Sequence, residues 1–340
     1  RGLGDVYKRQ VLGFTATPCR LRTYSSMLEG NYSKLNMLTK DEHNFFKKIV
    51  HVTQIQELTS QGFWCPLKYE RWSFDESALM LNSTGAEYTN ESIKESIVRN
   101  GLNNSIYKRL LQLMNERKAI LVCMDSIESC NRISEFMNAR MGAITGVVTS
   151  LTTKKKREQI ISDFKEGKLK VVFNYSTLAT GFDFPELDCV MFSRPTFSYS
   201  TYYQILGRAV RIHPDKKEAL IVDCCDNMRR FGRIEDLTIE QFPSKGWCMF
   251  AGNQLLSNIR MGDIITKDEI LRRAASLKSV NGDGRREDDL DSIIMWFGKY
   301  EGIRFKDIPV SYFRFLAENM AVKQGDRKEK IIEYYNRIKA

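Results

Sequence analysis

The stretch AILVCMDSIESCNRISEFMNARMGAITGVVT, residues 119–149, decides the fold. It starts with an apolar run of strand length, continues with helical periodicity over residues 126–140, and ends in a second apolar run over residues 146–149. The same rhythm continues with helices over 153–166 and 199–209 and strands over 170–173, 189–192 and 219–222. Strands that alternate with helices in this way predict an α/β fold with a doubly wound parallel sheet.

Composition limits the class of protein. The chain has 340 residues, of which 42% are hydrophobic and 28% charged, which allows two domains with real cores and excludes a disordered or fibrous chain. The sequence contains no run of about eighteen apolar residues and no secretory leader. We therefore expect a cytoplasmic protein without a membrane partner.

Cysteine spacing and net charge limit the kinds of site and partner that the chain can have. Eight cysteines without a CxxC pair, together with three histidines, argue against a disulfide scaffold and a zinc site, so no metal site is predicted. A formal net charge of +10 favours a polyanionic partner, because lysine and arginine release counterions from phosphates.

The segment QILGRAVR, residues 204–211, is the strongest functional signal. On a helix Gln204, Gly207, Arg208 and Arg211 share one face, which presents two guanidinium groups suited to phosphate oxygens. Gly207 would allow a nucleotide to approach closely. The alternative is an amphipathic helix with two solvated arginines.

A second candidate, STLATGFDFP at residues 176–185, follows a predicted strand, where open α/β sheets bind ligands. Gly181 and small hydroxyl residues expose backbone N–H groups to phosphate, and Asp183 could hold a ribose hydroxyl or orient an arginine. A plain Gly-Phe-Asp turn is the alternative.

Taken together, the segments resemble motifs of superfamily 2 helicases and translocases, in which two RecA-like lobes bind ATP in the cleft between them. Residues 176–185 are similar to the fifth motif and 204–211 to the sixth. Thr15, Ala16 and Thr17, at the end of a predicted strand over 11–17, are similar to the third motif, which couples the two lobes. The resemblance implies a complete second lobe and only the C-terminal end of the first.

The resemblance also implies roles for individual residues. Arg208 and Arg211 would be arginine fingers at the γ-phosphate of ATP, with Gln204 positioning them. Other residues would bind ATP, namely Gly181, Asp183 and Gly207, or the DNA backbone, namely Thr180, Ser126 and Thr149. The implied cofactors are ATP and Mg²⁺, whose main ligands lie in the first lobe. The implied partner is single-stranded, duplex or forked DNA.

The sequence departs from the family in one respect, because it has neither a G-x-x-x-x-G-K-[ST] loop nor an Asp-Glu box before Thr15. Residues 5–10 look like a sequencing-adaptor scar, so we expect a truncated chain that is inactive as an ATPase alone. The expected organisation is a scar over 1–10, the end of the first lobe over 11–67, the second lobe over 68–240, and a mainly helical accessory region over 241–340.

The fifth motif favours the DNA-directed branch that includes RadD-like and XPB-type helicases and restriction motors. Residues 290–325 resemble a small Phe-Gly-Lys-Tyr domain that could bind nucleic acid or a protein, although its aromatic residues could equally form a minimal core. The basic run 154–157 is either a phosphate-tracking patch or a solvated helical turn.

Two other functions stay open for the chain as a whole. One is a non-catalytic nucleic-acid binding or annealing module, and the other is the motor subunit of a restriction system.

Overall fold

The computed structural model describes residues 11–26, 30–40, 45–177, 183–242, 245–272, 290–291, 293, 295, 300, 303–319 and 329–339. Its centre is a six-stranded, entirely parallel sheet with the strand order β3-β8-β7-β4-β6-β5. The strands are β3 (Leu67–Arg71), β4 (Ile120–Cys123), β5 (Thr145–Val148), β6 (Val171–Asn174), β7 (Cys189–Phe192) and β8 (Ala219–Asp223). All residues of β4, β6, β7 and β8 are buried, as expected for a sheet covered on both faces.

Helices cover both faces of this sheet, and each face has its own apolar core. One face packs against α2 (Asn90–Arg99), α3 (Leu102–Glu116) and α4 (Ile127–Met141). The other packs against α5 (Lys154–Lys165) and α6 (Tyr199–Ala209). Two short helices, α1 (Ile55–Ser60) and α7 (Asn227–Phe231), complete this part of the chain. The predicted α/β class with a doubly wound parallel sheet is confirmed.

One expectation for the first fifty residues is wrong. Residues 11–17, expected to form a buried strand before the coupling motif, have no strand structure, and Phe14 is 97% exposed. A strand needs a neighbour for its backbone hydrogen bonds, and none of the described strands pairs with this segment. The next part of the chain forms a hairpin of β1 (Cys19–Ser26) and β2 (Gly30–Met37), because Cys19, Leu35 and Met37 on one side of it join the main core.

The accessory region is less helical than expected. It begins with a three-stranded antiparallel sheet of β9 (Leu237–Phe242), β10 (Gly246–Ala251) and β11 (Gln254–Leu255). The strands form because alternate residues such as Cys248 and Phe250 enter a small core of their own. Helical structure follows over 267–272, in α8 (Val310–Asn319) and in α9 (Glu329–Lys339).

A separate core lies near the C-terminus. It contains Phe305, Phe313 and Leu316 together with Ile331 and Tyr334 of α9. The small unit therefore includes the last helix, beyond the expected limit of residue 325. Residues 296–299, which carry the Phe-Gly-Lys resemblance, lie outside the described residues.

The eight cysteines are buried free thiols. Burial raises the pKa of the Cys123 thiol to about 12. Within the described ranges, no His, Cys, Asp or Glu side chains gather in the groups of three or more that could hold a metal ion. Over the same ranges, no helix has the length and apolar character needed to cross a membrane.

Candidate nucleotide site and nucleic-acid interface

Helix α6 is oriented by an apolar face and by a cap at its start. Tyr199, Tyr202 and Leu206 are buried in the main core, and the Tyr202 ring lies 5.1 Å from the ring of Phe192 at the end of β7. The Ser198 hydroxyl accepts a hydrogen bond from the Thr201 N–H at 3.3 Å and so caps the first turn. This packing leaves the polar face of α6, with Arg208, only half-buried.

Helix α6 ends before residue 211, so the four residues predicted to share one helical face do not all lie on it. Ala209 is its last residue, so Gln204, Gly207 and Arg208 lie on α6 while Arg211 lies in the chain beyond it. The carbonyl oxygen of Ala209 accepts a hydrogen bond from the Lys216 ammonium at 3.1 Å, and that of Val210 accepts from the Cys65 N–H at 2.7 Å. These donors take up carbonyl groups that a longer helix would use.

Arg211 nevertheless meets the second predicted segment. Its guanidinium forms an ion pair with the carboxylate of Asp183, the first described residue after 177. The Asp183 side chain is 71% exposed and that of Arg211 is 32% exposed, so a ligand can reach the pair from solvent. The structure thus brings together one residue from each of the two strongest sequence signals.

Arg208 and Gly207 lie beside this pair along the chain. Burial lowers the pKa of the Arg208 guanidinium, which marks a cation that is partly withdrawn from water. A Cβ atom placed on Gly207 would meet no atom within 4 Å, so the space above this glycine is open. A half-buried cation that follows this glycine in the chain is suited to an anionic ligand.

The other predicted residues are placed as follows. Thr180 and Gly181 lie outside the described residues. The Thr15 hydroxyl accepts from the Thr17 N–H at 3.1 Å, and Ala16 between them is exposed. The Ser126 hydroxyl caps α4 by accepting from the Ser129 N–H at 3.1 Å.

Thr149 does not present its hydroxyl at the surface, contrary to its predicted role on the DNA backbone. Only 3% of the residue is exposed, and its hydroxyl accepts a hydrogen bond from the Leu151 N–H at 3.2 Å. A turn after a buried strand satisfies its backbone with such local hydrogen bonds. Thr153, which caps the basic first turn of α5, is exposed instead.

Lys216 is a residue that the sequence analysis missed. Its ammonium group donates hydrogen bonds to the carbonyl oxygens of Pro185 at 2.5 Å, Leu187 at 3.1 Å and Ala209 at 3.1 Å. Lys216 therefore joins the segment after Asp183 to the end of α6. No sequence pattern indicates this, because one lysine in the run His213–Lys217 looks like any other solvated lysine.

The substitution Lys216→Met is expected to lower the free energy of unfolding by about 2–4 kcal/mol, because three carbonyl groups lose a charged donor. Urea denaturation measures this change, and the exposed neighbour variant Lys217→Met is the matched control. Equal midpoints for the two variants would show that Lys216 does not hold these segments together.

Comparisons with known proteins identify the family of the central part of the chain. The helicase conserved C-terminal domain family matches residues 104–213. A Saccharomyces cerevisiae protein named as ATP-dependent helicase IRC3 is 27% identical over 177 residues, 52% of this chain and 26% of that protein. A mitochondrial irc3 protein of Schizosaccharomyces pombe is 29% identical over 169 residues, 50% of this chain and 27% of that protein.

A 51.5 kDa protein of a Lactococcus phage is 27% identical over 228 residues, 65% of this chain and 44% of that protein. The chain thus spans 26–44% of the length of these relatives. Residues 104–213, which contain β4 to β7, α6 and Arg211, are a helicase C-terminal domain.

Proposed function

We propose that this chain supplies the second lobe of an ATP-dependent DNA helicase or translocase. The observation that carries the proposal is the ion pair between Asp183 and Arg211, which lies three residues after the half-buried Arg208 in the chain. In the full-length protein, a first lobe would hold the phosphates of ATP, and the two arginines would face the γ-phosphate across the cleft between the lobes.

The residues present fit the phosphate end of a nucleotide. Arg208 and Arg211 provide cations with a planar fork of N–H donors, which matches phosphate oxygens. The open space at Gly207 leaves room for a ligand atom where any other residue would place a Cβ. Negative charge that develops on the phosphoryl oxygens would be stabilised by cations already held in position.

Magnesium ligands are expected from the first lobe. Asp183, the carboxylate at the site, is engaged by Arg211 and serves to orient that guanidinium. Bound Mg²⁺ would neutralise phosphate charge, while Arg208 and Arg211 stabilise the charge that remains.

DNA is the nucleic acid that we propose. The net charge of +10 suits a phosphate backbone, and the fifth motif resembles that of DNA-directed motors. Ser126 and Thr180 stay predicted contacts with the DNA backbone. Ser126 is half-buried at a helix cap, and Thr180 lies outside the described residues.

ATP hydrolysis by the full-length protein tests the proposal. We expect hydrolysis that depends on Mg²⁺ and increases about 10-fold or more when DNA is added, since DNA would hold the lobes in the closed arrangement. Stimulation by RNA but not by DNA would contradict the proposal that DNA is the nucleic-acid substrate. Absence of hydrolysis with either nucleic acid would contradict the function.

The variant Gly207→Ala separates stability from function. Alanine in a helix interior is favoured over glycine by about 1 kcal/mol, and the space at this position is open, so thermal stability should rise. In the full-length protein, KM for ATP should rise about 10-fold or more because the new methyl group occupies space next to the nucleotide. An unchanged KM would show that ATP does not approach Gly207.

A further inference from the structure

The hairpin of β1 and β2 has one anchored face and one outward face. Its register pairs Arg20 with Asn36, Arg22 with Lys34 and Tyr24 with Tyr32, and these alternate positions share a face. The opposite face is buried through Cys19, Leu35 and Met37. On this face Arg20 and Arg22 are exposed, Tyr24, Tyr32 and Lys34 are half-buried, and Asn36 is buried.

Additional bonds fix the hairpin on the accessory region. The Leu35 carbonyl accepts a hydrogen bond from the Asn258 N–H at 2.7 Å, and the Ser33 carbonyl accepts from the Met261 N–H at 2.8 Å. The Asn258 side-chain oxygen accepts from the Met37 N–H at 3.1 Å. The position of the outward face is therefore fixed by packing against the main core and by hydrogen bonds to the accessory region, in addition to the pairing of β1 with β2.

Two aromatic rings and two cations form the centre of the outward face. The rings of Tyr24 and Tyr32 are stacked, with centroids 5.7 Å apart and planes inclined by 17°. The Lys34 ammonium lies 5.5 Å from the centroid of each ring. The Arg260 guanidinium, from the accessory region, lies 5.5 Å from the Tyr32 centroid.

The charged residues of the two hairpin strands are all positive. Strands β1 and β2 contain Arg20, Arg22 and Lys34 and no aspartate or glutamate. A face that combines cations with stacked aromatic rings matches a strand whose phosphates pair with the cations and whose unpaired bases stack on the rings. A duplex hides the faces of its bases, so the rings favour a single strand.

A cavity adjoins this face. Arg260 also lines a cavity of about 350 Å³ between the accessory region and the segments that follow β7 and β8. Tyr88 and Phe197 in its wall meet edge to face at 5.4 Å, and the Arg230 guanidinium lies 5.3 Å from the Tyr88 centroid. Arg230 is paired with Glu76 at 2.7 Å, so its guanidinium belongs to the wall of the cavity and not to the cationic surface of the hairpin.

We propose that the outward face of the β1–β2 hairpin, namely Arg20, Arg22, Tyr24, Tyr32 and Lys34, together with Arg260, binds single-stranded DNA. None of these residues belongs to the nucleotide site, and the contact requires no ATP. This binding can therefore be tested separately from ATP hydrolysis, and either result can fail without the other.

Fluorescence anisotropy of the 340-residue chain with a labelled oligo-dT, in the absence of nucleotide, tests the surface. The variant Arg20→Ala/Arg22→Ala/Lys34→Ala should bind about 10-fold or more weakly. The slope of log affinity against log salt should become shallower by about 2, because each lost phosphate contact on a single strand contributes about 0.7. The matched control, Lys94→Ala/Lys108→Ala/Arg132→Ala, removes equal charge from α2, α3 and α4 on the opposite face of the sheet and should bind like the wild type.

A second pair of variants isolates the rings. The double variant Tyr24→Ala/Tyr32→Ala should also lose about 10-fold or more in affinity but keep the salt slope, and Tyr24→Phe/Tyr32→Phe should bind normally because the rings remain. Thermal unfolding of every variant establishes that the hairpin is folded. Equal loss in the hairpin and control triple variants would overturn the proposal, as would an intact Tyr→Ala variant that binds normally. Tighter binding of oligo-U or of duplex DNA than of oligo-dT would also overturn it.

Discussion

Replacing Arg208 with alanine in the full-length protein is expected to lower kcat for DNA-stimulated ATP hydrolysis by about 10³-fold or more. A positioned arginine neutralises charge on the transferring phosphoryl group, and loss of such a residue typically costs about 10³- to 10⁵-fold in rate. Arg211→Ala should have an effect of the same order. The measurement is steady-state ATP turnover at saturating DNA.

Two comparisons sharpen this prediction. Arg132→Ala removes an exposed arginine from α4 and should leave turnover unchanged. Arg208→Lys keeps the charge but loses the planar fork, so most of the rate should still be lost. Turnover by Arg208→Ala within a factor of about three of the wild type would exclude a catalytic role for this arginine, because loss of an arginine finger typically costs about 10³-fold or more.

The substitution Phe192→Ala is expected to lower the free energy of unfolding by about 3–5 kcal/mol. Phe192 is 2% exposed, and its ring packs between the sheet and Tyr202 of α6. Truncation removes these contacts and leaves a cavity beneath the helix that carries Arg208. Urea denaturation of the chain gives the change directly.

Phe63→Ala is the control for this substitution, because the Phe63 side chain is 59% exposed and its loss should change stability by about 0.5 kcal/mol or less. If Phe192→Ala and Phe63→Ala had similar midpoints, α6 would not depend on the sheet for its position. In the full-length protein, Phe192→Ala should also reduce ATP turnover at temperatures where it remains folded.

Much of the central fold could be predicted because its signals are local. The run Ala119–Cys123 and the helical pattern of 126–140 lie within one or two residues of β4 and α4, and the helix over 199–209 matches α6. Strand order could not be read in the same way. The place of β3 beside β8 depends on pairing between Leu67 and Ala219, far apart in the chain.

The errors have physical causes. Residues 11–17 look like a buried strand by composition, but a strand forms only where a neighbour satisfies its backbone. The β1–β2 hairpin shows the reverse, because its outward residues are polar and its stability comes from distant contacts such as those of Leu35 with the main core. Lys216 was missed for the same reason, since its three acceptors are brought together only by folding.

The central claim is that Arg208 and Arg211 complete an ATP site between two lobes. The most direct measurement is a crystal structure of the full-length protein with DNA, Mg²⁺, ADP and aluminium fluoride, which imitates the transferring phosphoryl group. We expect guanidinium nitrogens of both arginines to lie within about 3 Å of fluoride ligands, at hydrogen-bond distance. Closed lobes with both guanidinium groups directed away from the aluminium fluoride would contradict a catalytic role for the two arginines.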